Sequence, residues 1–139
     1  MILQKSNHAV FDRDDHPSYH QALSLAADWD RTLRSDLKQP VRFFSVASVP
    51  CFELWLLLHF EDVRQPLHRT EVQRRLHAHF PDYKKGGSGV FAQTKDRLEH
   101  ACRRARALAE QASAHDGKSP YTDFGGLVDF LGTLTHEPR

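Results

Sequence analysis

The chain has 139 residues, 40% apolar and 27% charged, and a formal net charge of +1. That length allows one domain with a modest core, and the apolar share excludes a disordered chain. Residues 54–58, the longest unbroken apolar stretch, are far short of the roughly 20 residues that a membrane span needs. No basic-then-apolar leader opens the sequence, so a cytoplasmic protein with no membrane association is expected. Two cysteines, Cys51 and Cys102, make neither a disulfide framework nor a zinc motif.

In chain order, the apolar run His8-Ala-Val-Phe11 stops at Asp12-Arg-Asp-Asp15 and reads as a buried strand delivering carboxylates into a loop. Asp15 or Ser18 is placed to cap the next helix, with Pro17 near its first turn. Tyr19, Leu23, Ala26, Leu33 and Leu37 keep helical spacing to about Lys38, and Pro40 ends that helix. Residues 41–47, rich in β-branched and aromatic side chains, predict a second strand. Ser48 is then expected to cap a helix from about Pro50 to Phe60, apolar nearly all round and so buried on most faces.

After Pro66, Thr70 opens a shorter amphipathic helix through Val72, Leu76 and Phe80. Residues 81–89, with Lys84-Lys85-Gly86-Gly87, predict a loop. A long helix is expected from about Val90 to Ser113, with Phe91, Thr94, Leu98, Ala101, Ala105, Leu108 and Ala112 on one seam. Residues 115–119 form a loop, and Thr122 caps a final helix carrying Phe124, Leu127, Val128, Leu131 and Leu134. The order strand, helix, strand, helices predicts an α/β domain with about two parallel strands and a helical C-terminal half. Two strands alone make no stable sheet, so the sheet is expected to be incomplete. Residues 1–62 would form the α/β part and residues 63–139 a basic helical part of the same domain.

The small net charge hides an asymmetry. Residues 1–62 carry six Lys or Arg against nine Asp or Glu, and residues 63–139 carry thirteen against nine. The excess lies mainly between Arg64 and Arg106, where eleven basic residues face four acidic ones. Such a distribution fits either a phosphate-binding surface beside an acidic site or the solvated faces of two helices.

Several residue groups carry candidate chemistry. Asp12 and Asp14 are two apart after a strand, so in extended backbone they point the same way and suit one hard cation such as Mg²⁺. Ligands of α/β sheets bind at such strand ends; the alternative is an Asp-rich turn capping the next helix. His16 and His20, four apart, suit zinc or manganese if they ligate at all, and otherwise are exposed polar residues of the first helical turns. Glu53 is the charged residue of the apolar segment around Phe52, Trp55 and Leu56. Buried, it needs a partner or a metal; in a first helical turn it needs only the helix dipole. Tyr83, Lys84 and Lys85 suit a phosphate or a solvated loop, and no P-loop glycine spacing precedes the lysines. Cys51 reads as core.

Three segments together resemble the RloB family of bacterial restriction and anti-phage loci. They are Val10-Phe-Asp-Arg-Asp-Asp15, Ser48-Val-Pro-Cys-Phe-Glu-Leu-Trp-Leu-Leu-Leu-His-Phe60, and Tyr83-Lys84 with Pro120-Tyr-Thr122 and Leu127-Val128. The family signature usually has Asn where Val49 stands. RloB proteins look related to Toprim domains, in which a glutamate after the first strand and an Asp-x-Asp after a later one gather Mg²⁺ for phosphodiester chemistry. The resemblance implies that Asp12 and Asp14 are that Asp-x-Asp. It also implies an upstream Glu-Gly-Glu-like strand with no counterpart in this sequence, so a C-terminal part of the family's domain is expected. Glu53 is a further catalytic candidate that the resemblance itself does not assign.

Two functions follow as expectations. One is a Mg²⁺-dependent nuclease of phage defence or abortive infection, or a remnant of one. In it Asp12, Asp14 and Glu53 would act at the metal, and Lys84, Lys85, Arg103 and Arg104 would hold the RNA or DNA backbone. The other is a non-catalytic nucleic-acid-binding or protein-interaction subunit of a restriction or abortive-infection system. An open sheet edge predicts a homodimer or a missing partner chain.

Overall fold

The computed structural model describes residues 6–13, 17–35, 38–111 and 119–134. The first apolar run forms strand β1, Ser6–Asp12. Helix α1, Tyr19–Trp29, follows, with Tyr19, Leu23 and Ala26 buried along one face. Its spacing predicts continuation to about Lys38, but the chain leaves the helix at Trp29. Asp30 is extended (ψ 123°) and Arg31 is left-handed (φ 65°). The Asp30 carboxylate accepts from Arg42 Nε at 2.8 Å and from the Phe43 N–H at 2.9 Å. The Arg31 N–H donates to the Val41 carbonyl at 2.9 Å. Those bonds fold the chain back toward the second strand, so local helical spacing loses to tertiary hydrogen bonding. Leu37 lies outside the described residues.

Strand β2, Arg42–Val49, pairs parallel with β1 from Ser6↔Arg42 to Asp12↔Ser48. Alternation puts His8, Val10 and Asp12 on one face with Phe44, Val46 and Ser48, and Phe11 on the other with Ala47. α1 covers that second face, where the Phe11 and Tyr19 rings lie 6.0 Å apart and Trp29 meets Phe43 edge-on at 5.4 Å. Ser48 is therefore a buried strand residue and not the cap of the next helix.

Helix α2 spans only Glu53–Leu57, and residues 58–60 close it as a turn. The His59 and Phe60 N–H groups bond back three residues, to Leu56 and Leu57. Helix α3, Arg69–His79, begins one residue before Thr70, with His68 accepting from the Thr70 N–H at 3.3 Å. The long helix expected from Val90 is broken. Helix α4, Val90–Thr94, passes through a 3₁₀ turn, Lys95–Arg97, into helix α5, Leu98–Gln111. Thr94 bends there (φ −110°), and its hydroxyl donates to the Val90 carbonyl at 2.9 Å. The break rotates α4 relative to α5, so Phe91 is 72% exposed while Ala101, Ala105 and Leu108 are buried.

Near the C-terminal end, Tyr121–Thr122 forms strand β3, antiparallel to β2, and helix α6 runs Phe124–Leu134. The third strand raises the expected count of about two. At two residues it has no readable propensity pattern, and side chains hold it in place. Ser48 Oγ and Thr122 Oγ1 share a buried hydrogen bond of 2.9 Å. The Asp123 carboxylate accepts from the Ala47 N–H at 3.0 Å and from the Tyr121 hydroxyl at 2.5 Å. Thr122 Oγ1 also accepts from the Phe124 N–H at 3.2 Å, capping α6 as the sequence predicts.

The class is α/β, with a mixed sheet of order β1-β2-β3 and β1 at its edge. The main core lies in the helical part, where Leu54, Leu57, Leu58, Val72, Leu76, Ala101 and Leu108 pack together. A smaller cluster of Tyr19, Leu23, Ala47 and Val49 lies under α1. No described helix is long and apolar enough to cross a membrane.

Candidate functional site

Asp12 closes β1, level with Ser48 on the neighbouring strand. The next residue is tied to the same strand, since the Arg13 N–H donates to the Ser48 carbonyl at 2.9 Å. Its guanidinium lies 5.5 Å from the centre of the Tyr19 ring. Asp14, Asp15 and His16 lie outside the described residues, so the structure places one carboxylate of the Asp-x-Asp and not the other. His20 is exposed on α1.

Glu53 enters from the other strand end. β2 finishes at Val49, and four residues later Glu53 opens α2, 1% exposed. The two alternatives for this residue both hold in part: it stands in a first helical turn and it is also buried. Its Oε1 accepts a hydrogen bond from the Tyr83 hydroxyl at 3.4 Å. Its Oε2 is buried and has no hydrogen-bond partner among the described residues. A buried carboxylate oxygen without a donor is costly, and a proton or a cation relieves it.

Tyr83 arrives from the loop after α3. Its N–H donates to the Phe80 carbonyl at 3.1 Å, and its own carbonyl accepts from His77 Nε2 at 3.1 Å. Burial pushes the Tyr83 hydroxyl up to about 12, and the Glu53 carboxylate, its hydrogen-bond partner, adds to the shift. The start of α2 and the α3–α4 loop therefore meet at the Tyr83–Glu53 hydrogen bond. Spacing alone does not bring these together.

Lys84 and Lys85 follow directly and are exposed. They sit in a tight turn in which the Gly87 N–H donates to the Lys84 carbonyl at 2.8 Å and Gly86 takes φ 78°. A Cβ on Gly87 would stand 2.9 Å from that carbonyl, so the double glycine fixes how the lysines are presented. The two α5 arginines differ from each other. Arg103 is exposed and its guanidinium meets His100 Nδ1 at 2.9 Å. Arg104 is half-buried and donates to the Leu58 carbonyl at 2.7 Å, so it ties α5 to the end of α2. Among the described residues no group of three or more His, Cys, Asp or Glu is gathered as for a metal ion. Cys51 is buried, as expected of core.

Sequence reasoning misses Ser48, Thr122 and Asp123 as the clasp that holds β3 against β2. The only signal for it is the Pro120-Tyr-Thr122 segment of the resemblance. The model of RloB-like proteins matches residues 4–131. The chain belongs to the RloB-like family. Neither the curated proteins nor the solved structures gave a match. Membership suggests a restriction-associated or phage-defence protein. Three RloB-like segments meet at the ends of β1 and β2: the end of β1, the segment that includes Ser48 and Glu53, and the Tyr83 loop with β3.

Proposed function

We propose that this RloB-like chain is a nucleic-acid-directed phage-defence protein whose site at the ends of β1 and β2 takes Mg²⁺ for phosphodiester cleavage. The observation that supports it most is the buried Glu53 carboxylate, with Oε2 lacking a donor among the described residues, just beyond the β2 end that lies level with Asp12. Oxygen donors of this kind suit Mg²⁺, which uses one or two carboxylates and keeps several waters. Asp12, Asp14 and Glu53 would hold the ion, which when bound would activate water and offset charge on the leaving oxygen. Tyr83, kept protonated, holds one oxygen of Glu53 so that the other faces the ion. Lys84 and Lys85, on their glycine turn, attract the phosphate backbone, as does Arg103.

The test is cleavage of single-stranded RNA and of DNA with and without Mg²⁺, for the native chain and for Asp12→Asn and Asp14→Ala. Loss of metal-dependent cleavage by a hundredfold or more in both variants is expected, on the order of what removing one essential charged group does. Metal-dependent cleavage unchanged in both variants overturns the reading.

A second reading is favoured by the exposed basic side chains of Lys84, Lys85 and Arg103: a subunit that binds nucleic acid without turnover. It predicts salt-sensitive binding that is lost in Lys84→Glu/Lys85→Glu and weakened in Arg103→Glu. Arg104 is unsuited to the same test, because its bond to Leu58 makes charge reversal there a change of packing. In either reading the edge position of β1 supports pairing with a second copy or a partner chain. A strict monomer at high concentration counts against a second copy.

A further inference from the structure

A cavity of about 270 Å³ opens between α2, α4 and α6, away from the strand ends. Its floor holds Trp55 and His59, which are 5% and 3% exposed. His59 Nδ1 lies 2.9 Å from the Trp55 carbonyl. A carbonyl only accepts, so Nδ1 carries the proton and the neutral ring presents a lone pair at Nε2. Burial holds the ring below the ordinary histidine range, which keeps it neutral. With Nδ1 engaged by the Trp55 carbonyl, Nε2 is the ring atom left to accept from a ligand in the cavity. The other deep polar group of the cavity, the Thr94 hydroxyl, donates to the Val90 carbonyl. At the mouth, Phe91 is 72% exposed and Leu131 is 50% exposed. Lys95 stands on the rim, exposed and in no ion pair among the described residues.

The parts differ in chemistry in a useful way. A purely apolar occupant would offer the Nε2 acceptor no donor while shielding it from water, and a bare anion would gain nothing from the aromatic wall. A planar group with an N–H donor and a nearby negative charge satisfies all three features. We propose that this cavity binds a nucleobase and its phosphate, with a base N–H donating to His59 Nε2, the base face against Phe91 and the phosphate near Lys95. Such recognition is tolerant of sequence, since every base offers a π-face. The inference deepens the nucleic-acid reading but uses none of the strand-end residues.

The two tryptophans make a direct test available. In a Trp29→Phe background, Trp55 is the sole indole and reports from the cavity floor. Titration with AMP and with a single-stranded oligoadenylate is expected to change its fluorescence, whereas ribose 5-phosphate, which lacks the base, leaves it unchanged. Phe91→Ala and Lys95→Glu, both at exposed positions, should each weaken the response roughly tenfold or more. Tighter response to the oligomer than to AMP assigns the site to a strand, and equal response assigns it to a free nucleotide. A response to ribose 5-phosphate equal to that to AMP overturns the proposal, as does no response to either nucleotide or an unchanged response in Phe91→Ala. If the oligomer binds by anisotropy yet ignores Phe91→Ala, this inference fails while the nucleic-acid reading stands.

Discussion

Every residue of α2 is buried, Glu53 included, whereas none of the seven residues of β1 is fully buried. α2 sits among α3, α5 and β2, while β1 has one strand neighbour and carries Val10 53% exposed. The two regions each supply a candidate carboxylate, so the contrast bears on chemistry. Glu53 rides on the most enclosed segment of the molecule and is fixed by packing before any ligand arrives. Asp12 rides on an edge whose outer side has no strand partner among the described residues, so its position depends more on what else pairs there.

The largest effect expected separates those regions directly. Leu57→Ala, at a fully buried position, should lower unfolding free energy by about 2–5 kcal/mol, while Val10→Ala should stay within about 0.5 kcal/mol. Urea unfolding measures both. A Val10→Ala loss as large as that of Leu57→Ala would break the contrast, and would mean that β1 is covered in solution. Next in size is the clasp of β3 on β2, the strand next to both regions. Thr122→Val removes the bond to Ser48 and the cap of α6, and leaves the Ser48 hydroxyl buried without a partner. A loss of about 1–3 kcal/mol is expected. Adding Ser48→Ala should cost little more, because the two residues share one interaction; fully additive losses would show that the clasp is not formed.

How far the sequence could be read follows the same division. α1, β2 and α6 were legible because apolar spacing or β-branched composition marks them locally. The early end of α1 was not, since nothing local tells Trp29 from Leu33. Asp30 is drawn away by Arg42 and the Phe43 N–H, twelve and thirteen residues on. The long seam from Phe91 to Ala112 hid its break, because Thr94 and Leu98 keep helical spacing on either side of the 3₁₀ turn. β3 was illegible at two residues, being held by partners more than 70 residues away. At the site, Asp12, Glu53 and Tyr83 could each be named from their neighbours, yet only the parallel register relates Asp12 to the β2 end, and only the fold brings Tyr83 to Glu53. His59 carries no local mark, being one more residue of an apolar segment.

Tyr83 belongs to the helical core cluster but feels a charge from β1, which makes its titration the finest measure of how the two regions meet. Its folded pKa of about 12 lies above the ordinary value near 10. Below pH 10 both folded and unfolded chains keep the proton and the full stability is present. Between about 10 and 12 the unfolded chain loses its proton first, so stability falls as pH rises. Tyr121 is raised in the same direction by burial and by Asp123, so the informative comparison is with Tyr83→Phe, whose alkaline loss should be shallower. Absorbance titration of the tyrosinates then ranks the contributors. Glu53→Gln should bring Tyr83 down further than Asp12→Asn, because Glu53 is both its hydrogen-bond partner and the stronger charge. The reverse order would place the edge strand closer to Tyr83 in solution than α2, and would transfer the rigid half of the site from Glu53 to Asp12.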